Sequence, residues 1–296
     1  MQKKLIILII ILIPITIISF FSKETNFIMP KQNEKQSSIK IPIKTSNDVF
    51  TLELEDYIIG VVAGEMPALF EDEALKAQAI ASRTYAINYL ENNKYLTDTT
   101  STQVYLTKED MQQKWQSKFQ EYYNKIKNAV LSTKNQIMYY NDKPIKAYYY
   151  AMSNGYTESS LNVFNEQEEY LNIIPSPYDE DNEYTINITK EEFCAKLSIN
   201  CNDINISSII KDQSNRIKTI SINGKNFSGI EIRSKLSLRS TDFTFNINND
   251  NIQITTKGYG HGVGMSQYGA NNMAKEGYTY EEILKYYYQN IEIDEI

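Results

Sequence analysis

A single glutamate stands in the stretch "GEMP", where Glu65 follows Gly64 and precedes Met66 and Pro67. Upstream, Ile58, Val61 and Val62 recur at helical spacing, and Glu65 continues the same face at i+7, i+4 and i+3. Pro67 ends that helix, so the carboxyl falls on its last turn, at the negative end of the helix dipole. Burial and dipole both raise the proton affinity of a carboxyl, and a glutamate that keeps its proton near neutral pH can act as a general acid. The alternative is a helix-end glutamate turned to solvent, the common fate of charged side chains.

Two cations follow on a long helical stretch, "EALKAQAIASRTYA", where Lys76 and Arg83 lie seven residues apart and share a face. Its alanines permit close packing and close approach of a substrate. A cation facing Glu65 would lower the carboxyl's proton affinity, against the effect of burial, and the sequence leaves that balance open. Glu71, Asp72 and Glu73 cluster at the helix start and read as charges compensating its dipole. Glu65 is then a carboxylate working alone, whereas a glycoside hydrolase normally uses two, about 5 to 5.5 Å apart for retention or about 6.5 to 9.5 Å for inversion.

The third chemically loaded stretch is "KGYGHGVGMSQYGANNMAKEGYTYEEILKYYY", which holds six of the chain's 11 glycines and its only histidine, His261. Glycines here allow positive φ and a close backbone approach to a bulky ligand, and the helix beginning near Met265 or Ser266 would offer N–H groups. His261 would be one hydrogen-bonding side chain in a sugar-binding wall, or else a purely structural turn residue. A phosphate loop is disfavoured because Lys257 precedes the glycines instead of following them. A fourth stretch, "KAYYYAMSNGYTESS", reads as an aromatic strand running into a turn at Ser153, Asn154 and Gly155, with core packing as the ordinary role of its tyrosines.

The elements that must position these residues follow from periodicity and punctuation. Helices are expected over 56–66, 69–91, 109–132, 190–198, 265–276 and 279–290, and strands over 136–140, 145–152, 184–188, 216–222 and 252–257. The Ser228 to Glu231 spacing adds a capping box for a helix through Leu238. This is a mixed α+β domain over 46–296, not a βαβ repeat. Ahead of it, residues 22–45 are polar and aperiodic and read as a tether. Residues 5–21, "LIILIIILIPITIISFF", are long enough for a short membrane span, and Lys3 and Lys4 place the tip 1–4 in the cytoplasm. A signal peptide has the same charge pattern, but no small-x-small cleavage site follows.

A net charge of −7 argues against nucleic acid as a partner. The 23 tyrosines serve either core packing or stacking on sugar faces. Cys194 and Cys201 are the only cysteines; an extracytoplasmic setting permits a bridge, and two separate thiols are the alternative. With one distant histidine beside them, neither a metal site nor a cofactor is expected.

Taken in order, "GVVAGEMP", "EALKAQAIASRTYA", "DTTSTQVY", "SNGYTESS", "RSKLSLRSTDF" and the glycine-rich stretch resemble the stage II sporulation protein D family over about residues 50 to 290. That resemblance implies a membrane-anchored peptidoglycan lytic transglycosylase, single-pass with its catalytic domain outside the cytoplasm and Glu65 as the catalytic residue. It implies substrate contacts from Lys76, Gln78 and Arg83, from Ser153 and Tyr156, and from His261 and Gln267. It also implies stage II sporulation proteins P and M as partners on the glycan strands. Some relatives carry Cys and His metal ligands in the segment matching 145–160; this chain has neither there.

Overall fold

The computed structural model describes residues 39–45, 48–179, 183–248 and 250–296. The anchor expected over 5–21 and the tip 1–4 lie outside the described residues, and among those described no helix is long and apolar enough to cross a membrane.

The tether expected over 22–45 is corrected at its end, because Lys40–Lys44 is a strand, β1, whose Ile41 and Ile43 are fully buried. The period-two pattern of "KIPIK" was hidden by its lysines and by Pro42. The proline is tolerated because the neighbouring β3 (Leu96–Thr97) pairs only with Ile43 and Lys44. Strand β2 (Val49–Glu53) pairs with β1 antiparallel and runs directly into helix α1 (Leu54–Glu65). Helix α1 is buried nearly all round, with Leu54 and Tyr57 through Ala63 inside, so it serves as the centre of the first core.

Around it pack α2 (Asp72–Asn92), α3 (Lys108–Trp115) and α4 (Phe119–Ser132). The single helix expected over 109–132 is broken, since Gln116 takes a φ of 47° and a 3-10 turn over Gln116–Lys118 resets the direction. Strands β4 (Gln136–Tyr140) and β5 (Lys143–Pro144) form a hairpin. The strand expected over 145–152 shrinks to β6 (Tyr149–Tyr150), and α5 (Ser160–Phe164) follows.

A second core lies between these elements in sequence. Strand β7 (Glu183–Thr189), helix α6 (Lys190–Leu197), β8 (Ile206–Lys211), β9 (Ile217–Ile222), β10 (Lys225–Ser228), helix α7 (Gly229–Leu236), β11 (Asp242–Ile247) and β12 (Asn251–Lys257) form it. Its two antiparallel sheets run β10-β9-β8 and β11-β12-β7 and enclose Phe193, Ile220, Phe227, Ile232 and Ile254. Cys194 and Cys201 form a disulfide at a Cα separation of 5.7 Å, which settles the alternative the sequence left open.

The chain then returns to the first core through the glycine loop 258–264. Strand β13 (Met265–Ser266) pairs in parallel with β6, and α8 (Gln267–Lys275), α9 (Tyr280–Tyr287) and β14 (Glu292–Glu295) close the chain against α2 and β4. The mixed α+β class read from the sequence is the class observed.

Candidate active site

Glu65 is the last residue of α1, where Met66 leaves the helix in extended conformation ahead of Pro67. Its setting depends on two glycines on the same helix. A Cβ at Gly60 would fall 2.2 Å from the Tyr105 ring, and one at Gly64 would fall 2.6 Å from the Val104 carbonyl oxygen. Their bareness lets the 103–106 segment cross directly over the helix, where Leu106 N–H bonds to the Gly60 carbonyl. The crossing delivers the Val104 N–H to Glu65 Oε1 at 2.7 Å.

The half-buried Glu65 carboxyl holds its proton more tightly than usual, first because burial penalises the charged form, with the Val104 N–H and the Tyr149 hydroxyl pulling the other way. Among the described residues, neither a carboxylate nor a cation is among the causes of that shift. Tyr149 faces Glu65 from β6, and its hydroxyl accepts from Gln103 Nε2 at 3.1 Å. Gln103, buried, in turn accepts from the Tyr57 hydroxyl through Oε1 at 3.1 Å. Because the amide of Gln103 donates to the Tyr149 oxygen, the phenolic proton is left to point at the carboxyl. Sequence reading missed both residues: Tyr149 was hidden in an aromatic strand that looked like core, and Gln103 lay unremarked in "DTTSTQVY".

The expected substrate residues divide into two groups. Gln78 and Gln267 meet across α2 and α8, with Gln267 Nε2 donating to Gln78 Oε1 at 3.3 Å, while Gln78 Nε2 donates to Ser82 Oγ at 2.9 Å. Ser82 carries the same network on, since its carbonyl accepts from Gln103 Nε2 at 3.2 Å. Both glutamines thus join the side-chain mesh behind Glu65.

Arg83 does not face Glu65. It is fully buried, with Nη2 at 2.6 Å and Nε at 3.1 Å from the Glu55 carboxylate, and with its Nη groups on the Val130 and Gln136 carbonyls. The seven-residue spacing placed it on the face of the helix that packs inward. Lys76 is committed to Glu73 at 2.6 Å and lines a charged groove of about 800 Å³ with Asp72, Glu121 and Lys125, in which Glu65 has no part. Neither cation therefore opposes the effect of burial on Glu65.

Ser153 is fully buried; its hydroxyl donates to the Ser176 carbonyl at 2.8 Å and accepts from Gly155 N–H at 3.1 Å, which braces the loop. Tyr156 is exposed, and its carbonyl accepts from Arg216 Nη1 at 3.2 Å.

His261 uses Nδ1 inside the fold, where it accepts from Val263 N–H at 3.0 Å, and its ring packs among Tyr148, Tyr150 and Phe164. Burial, then Arg233 and Arg216 nearby, push its pKa down to about 3, so the ring is neutral. The N–H groups expected to greet a sugar at the start of α8 are also used within the fold, Tyr268 N–H by the Ala151 carbonyl and Gly269 N–H by the Ser266 hydroxyl. Among the described residues, no group of three or more His, Cys, Asp or Glu is placed to hold a metal ion.

Residues 43–140, which span Glu65, Gln78 and Gln103, match the family model described as stage II sporulation protein. Stage II sporulation protein D of Bacillus subtilis is 41% identical over 276 residues, covering 88% of this chain and 80% of that protein. The chain belongs to the stage II sporulation protein D family. The protein of the same name from Bacillus amyloliquefaciens is equally similar, at 41% over 276 residues. A more distant relative in the family's company is the amidase enhancer of Bacillus subtilis, 30% identical over 288 residues but matched over only 39% of its length.

Proposed function

We propose that this sporulation-family protein is a lytic transglycosylase, anchored in the cell membrane through residues 5–21, that cleaves the bond between N-acetylmuramic acid and N-acetylglucosamine in peptide-free glycan strands during engulfment. One observation carries the reading: Glu65 is a half-buried carboxyl of raised proton affinity, braced by Val104 and Tyr149, and among the described residues no second carboxylate is a cause of that shift. A lone acid suits a reaction in which the sugar's own 6-hydroxyl attacks the anomeric carbon and no base need activate water. Glu65 protonates the glycosidic oxygen as the C–O bond breaks, then accepts the proton of the 6-hydroxyl as the new C–O bond forms. The products are a free 4-hydroxyl on one fragment and a 1,6-anhydro muramoyl end on the other, with no water consumed.

The amidase enhancer's name supports a place among wall-cleaving proteins, and stage II sporulation proteins P and M are proposed as partners on the outer face of the membrane. The test is digestion of peptide-free strands in ¹⁸O water. Ends lighter by one water, non-reducible and free of heavy oxygen support the transglycosylase. Heavy oxygen at a reducible end means a hydrolase, and binding without new ends means a glycan-binding scaffold.

A further inference from the structure

Beside the glycine loop lie three arginines that, among the described residues, have no carboxylate partner. Arg216 is 2% exposed, donates from Nη1 to the Tyr156 carbonyl, and has a buried Nε with no hydrogen-bond partner. Its guanidinium occupies the place a side chain at Gly262 would need, since a Cβ there would fall 2.6 Å from Nη2. Arg233 is half-buried and donates only from Nε, to the Leu238 carbonyl at a long 3.4 Å. Arg239 lies flat over the Tyr184 ring at 3.5 Å and beside the Tyr259 ring at 5.3 Å. Both tyrosines are open to solvent, at 42% and 48%.

Among the described residues, none of the three arginines has an acidic oxygen within ion-pair distance. The acids nearby are spent otherwise. Glu158 accepts from Ser214, Asn162 and the Ser159 N–H; Asp212 accepts from Ser214 and the Arg216 N–H; Asp242 takes Lys211 and Asn154. Arg216 and Arg233 sit close enough that each is felt by His261, and Arg216 also depresses the proton affinity of Arg233. Neighbouring guanidinia out of bulk water repel one another, and an arriving anion offsets that repulsion. A guanidinium's planar fork fits a carboxylate, and a tyrosine face fits a sugar ring.

We infer that Tyr184, Arg239, Tyr259 and Arg233, backed by Arg216, form an acidic-sugar subsite that takes the free lactyl carboxylate of a muramoyl residue flanking the one cleaved at Glu65. The inference rests on the proposed function. The subsite and Glu65 are linked through one loop, since the Arg216 guanidinium packs against Gly262 and Met265, three residues on, pairs with Tyr149, whose hydroxyl acts on Glu65. It supplies a physical reason for a preference among strands. Where a stem peptide is attached, the lactyl carboxyl is an amide with no charge to offer, and where the peptide has been removed the carboxylate is free.

The test is binding, which needs no turnover. Full-length chain carrying Glu65→Gln is titrated with a peptide-free muramoyl oligosaccharide, with the same oligosaccharide methylamidated at its lactyl carboxyls, and with a chitin oligosaccharide of equal length. Charged hydrogen bonds of this kind predict about 10- to 100-fold tighter binding of the free acid, and loss of that advantage in Arg233→Gln and in Arg239→Gln. Thermal melts check that both variants are folded, and Arg239→Gln, on a half-exposed side chain, keeps the test open should Arg233→Gln fail to fold. Equal affinity for the acid and its methylamide overturns the inference, as does competition by polyglycerol phosphate but not by free muramic acid. Carboxylate-independent binding by an enzyme that still yields anhydro ends would sink the subsite alone and leave the proposed function standing.

Discussion

The carbonyl oxygen of Val104 lies 2.6 Å from the point where Gly64 would carry a Cβ, and the N–H of the same Val104 is the donor that reaches Glu65 at 2.7 Å. One glycine therefore sets the depth at which a whole crossing segment rests on α1.

Gly64→Ala should push that segment outward. The obstruction is backbone, which cannot swing aside, so overpacking costs about 1 to 3 kcal/mol. Displacing Val104 also takes away a donor that holds the carboxyl in place, and a misplacement of about 1 Å can cost about 100-fold in rate. Glycan-cleavage kinetics alongside denaturant melts would show a loss of turnover larger than the loss of stability explains. Wild-type turnover would mean that the Val104 contact is dispensable.

Glu65→Gln separates stability from activity by pH. The folded carboxyl binds its proton more tightly than the ordinary 4.5, so between that value and the raised one the native state holds more protons than the unfolded chain. Stability of the wild type then falls as pH rises through this window, and the penalty of a buried charge is fully present above it. Glutamine does not titrate. The variant should therefore melt higher than wild type at pH 7.5, with the difference fading below pH 4.5, while cleavage is lost by about 10² to 10⁴. A melting difference that does not change with pH would place the Glu65 carboxyl in an ordinary solvated state.

Arg83→Ala should cost stability. It strands the Glu55 carboxylate, 13% exposed, and leaves two backbone carbonyls without their donor. Removing one partner of a buried ion pair typically costs about 3 to 5 kcal/mol, and Arg83→Lys should recover only part, because an ammonium cannot span both carboxylate oxygens. The readout is the urea midpoint at unchanged slope. Full stability with lost cleavage would return Arg83 to the substrate.

The contrast between Glu65 and Arg83 shows what one-dimensional pattern can carry. The glutamate was legible because a helix face and a proline stop are local, and so were the helices around it and the α+β class. For Arg83, seven-residue spacing fixes a face but not what lies opposite, which is Glu55, 28 residues earlier. Ser153 and His261 show the same limit. A polar side chain among glycines looks available, and only the tertiary structure shows that its donors and acceptors are already used. Gln103 and Tyr149 are 46 residues apart and meet because β6 pairs with β13 beneath a segment held down at Gly64. The three arginines come from the residue before β9, from α7 and from the loop after it, and no period links them.

Tyr149→Phe tests the arrangement most directly. The hydroxyl accepts from Gln103 and so presents its own proton to Glu65, an interaction that favours the ionised carboxylate and partly offsets the effect of burial. Phenylalanine keeps the ring's volume and removes the hydroxyl, taking away both the proton offered to Glu65 and the acceptor for Gln103 Nε2, which keeps the Ser82 carbonyl. The carboxyl should then hold its proton to still higher pH. Since cleavage needs the protonated acid, activity falls as pH rises through the Glu65 pKa, and in the variant this alkaline fall should move to higher pH. Its maximal rate should also drop, by about 10-fold or more, because the carboxyl has lost a group that orients it. A merely structural tyrosine would lower stability and leave the position of the alkaline limb unchanged. The pH dependence of kcat on peptide-free strands distinguishes the two, and an unshifted limb with a normal maximum would remove Tyr149 from the site.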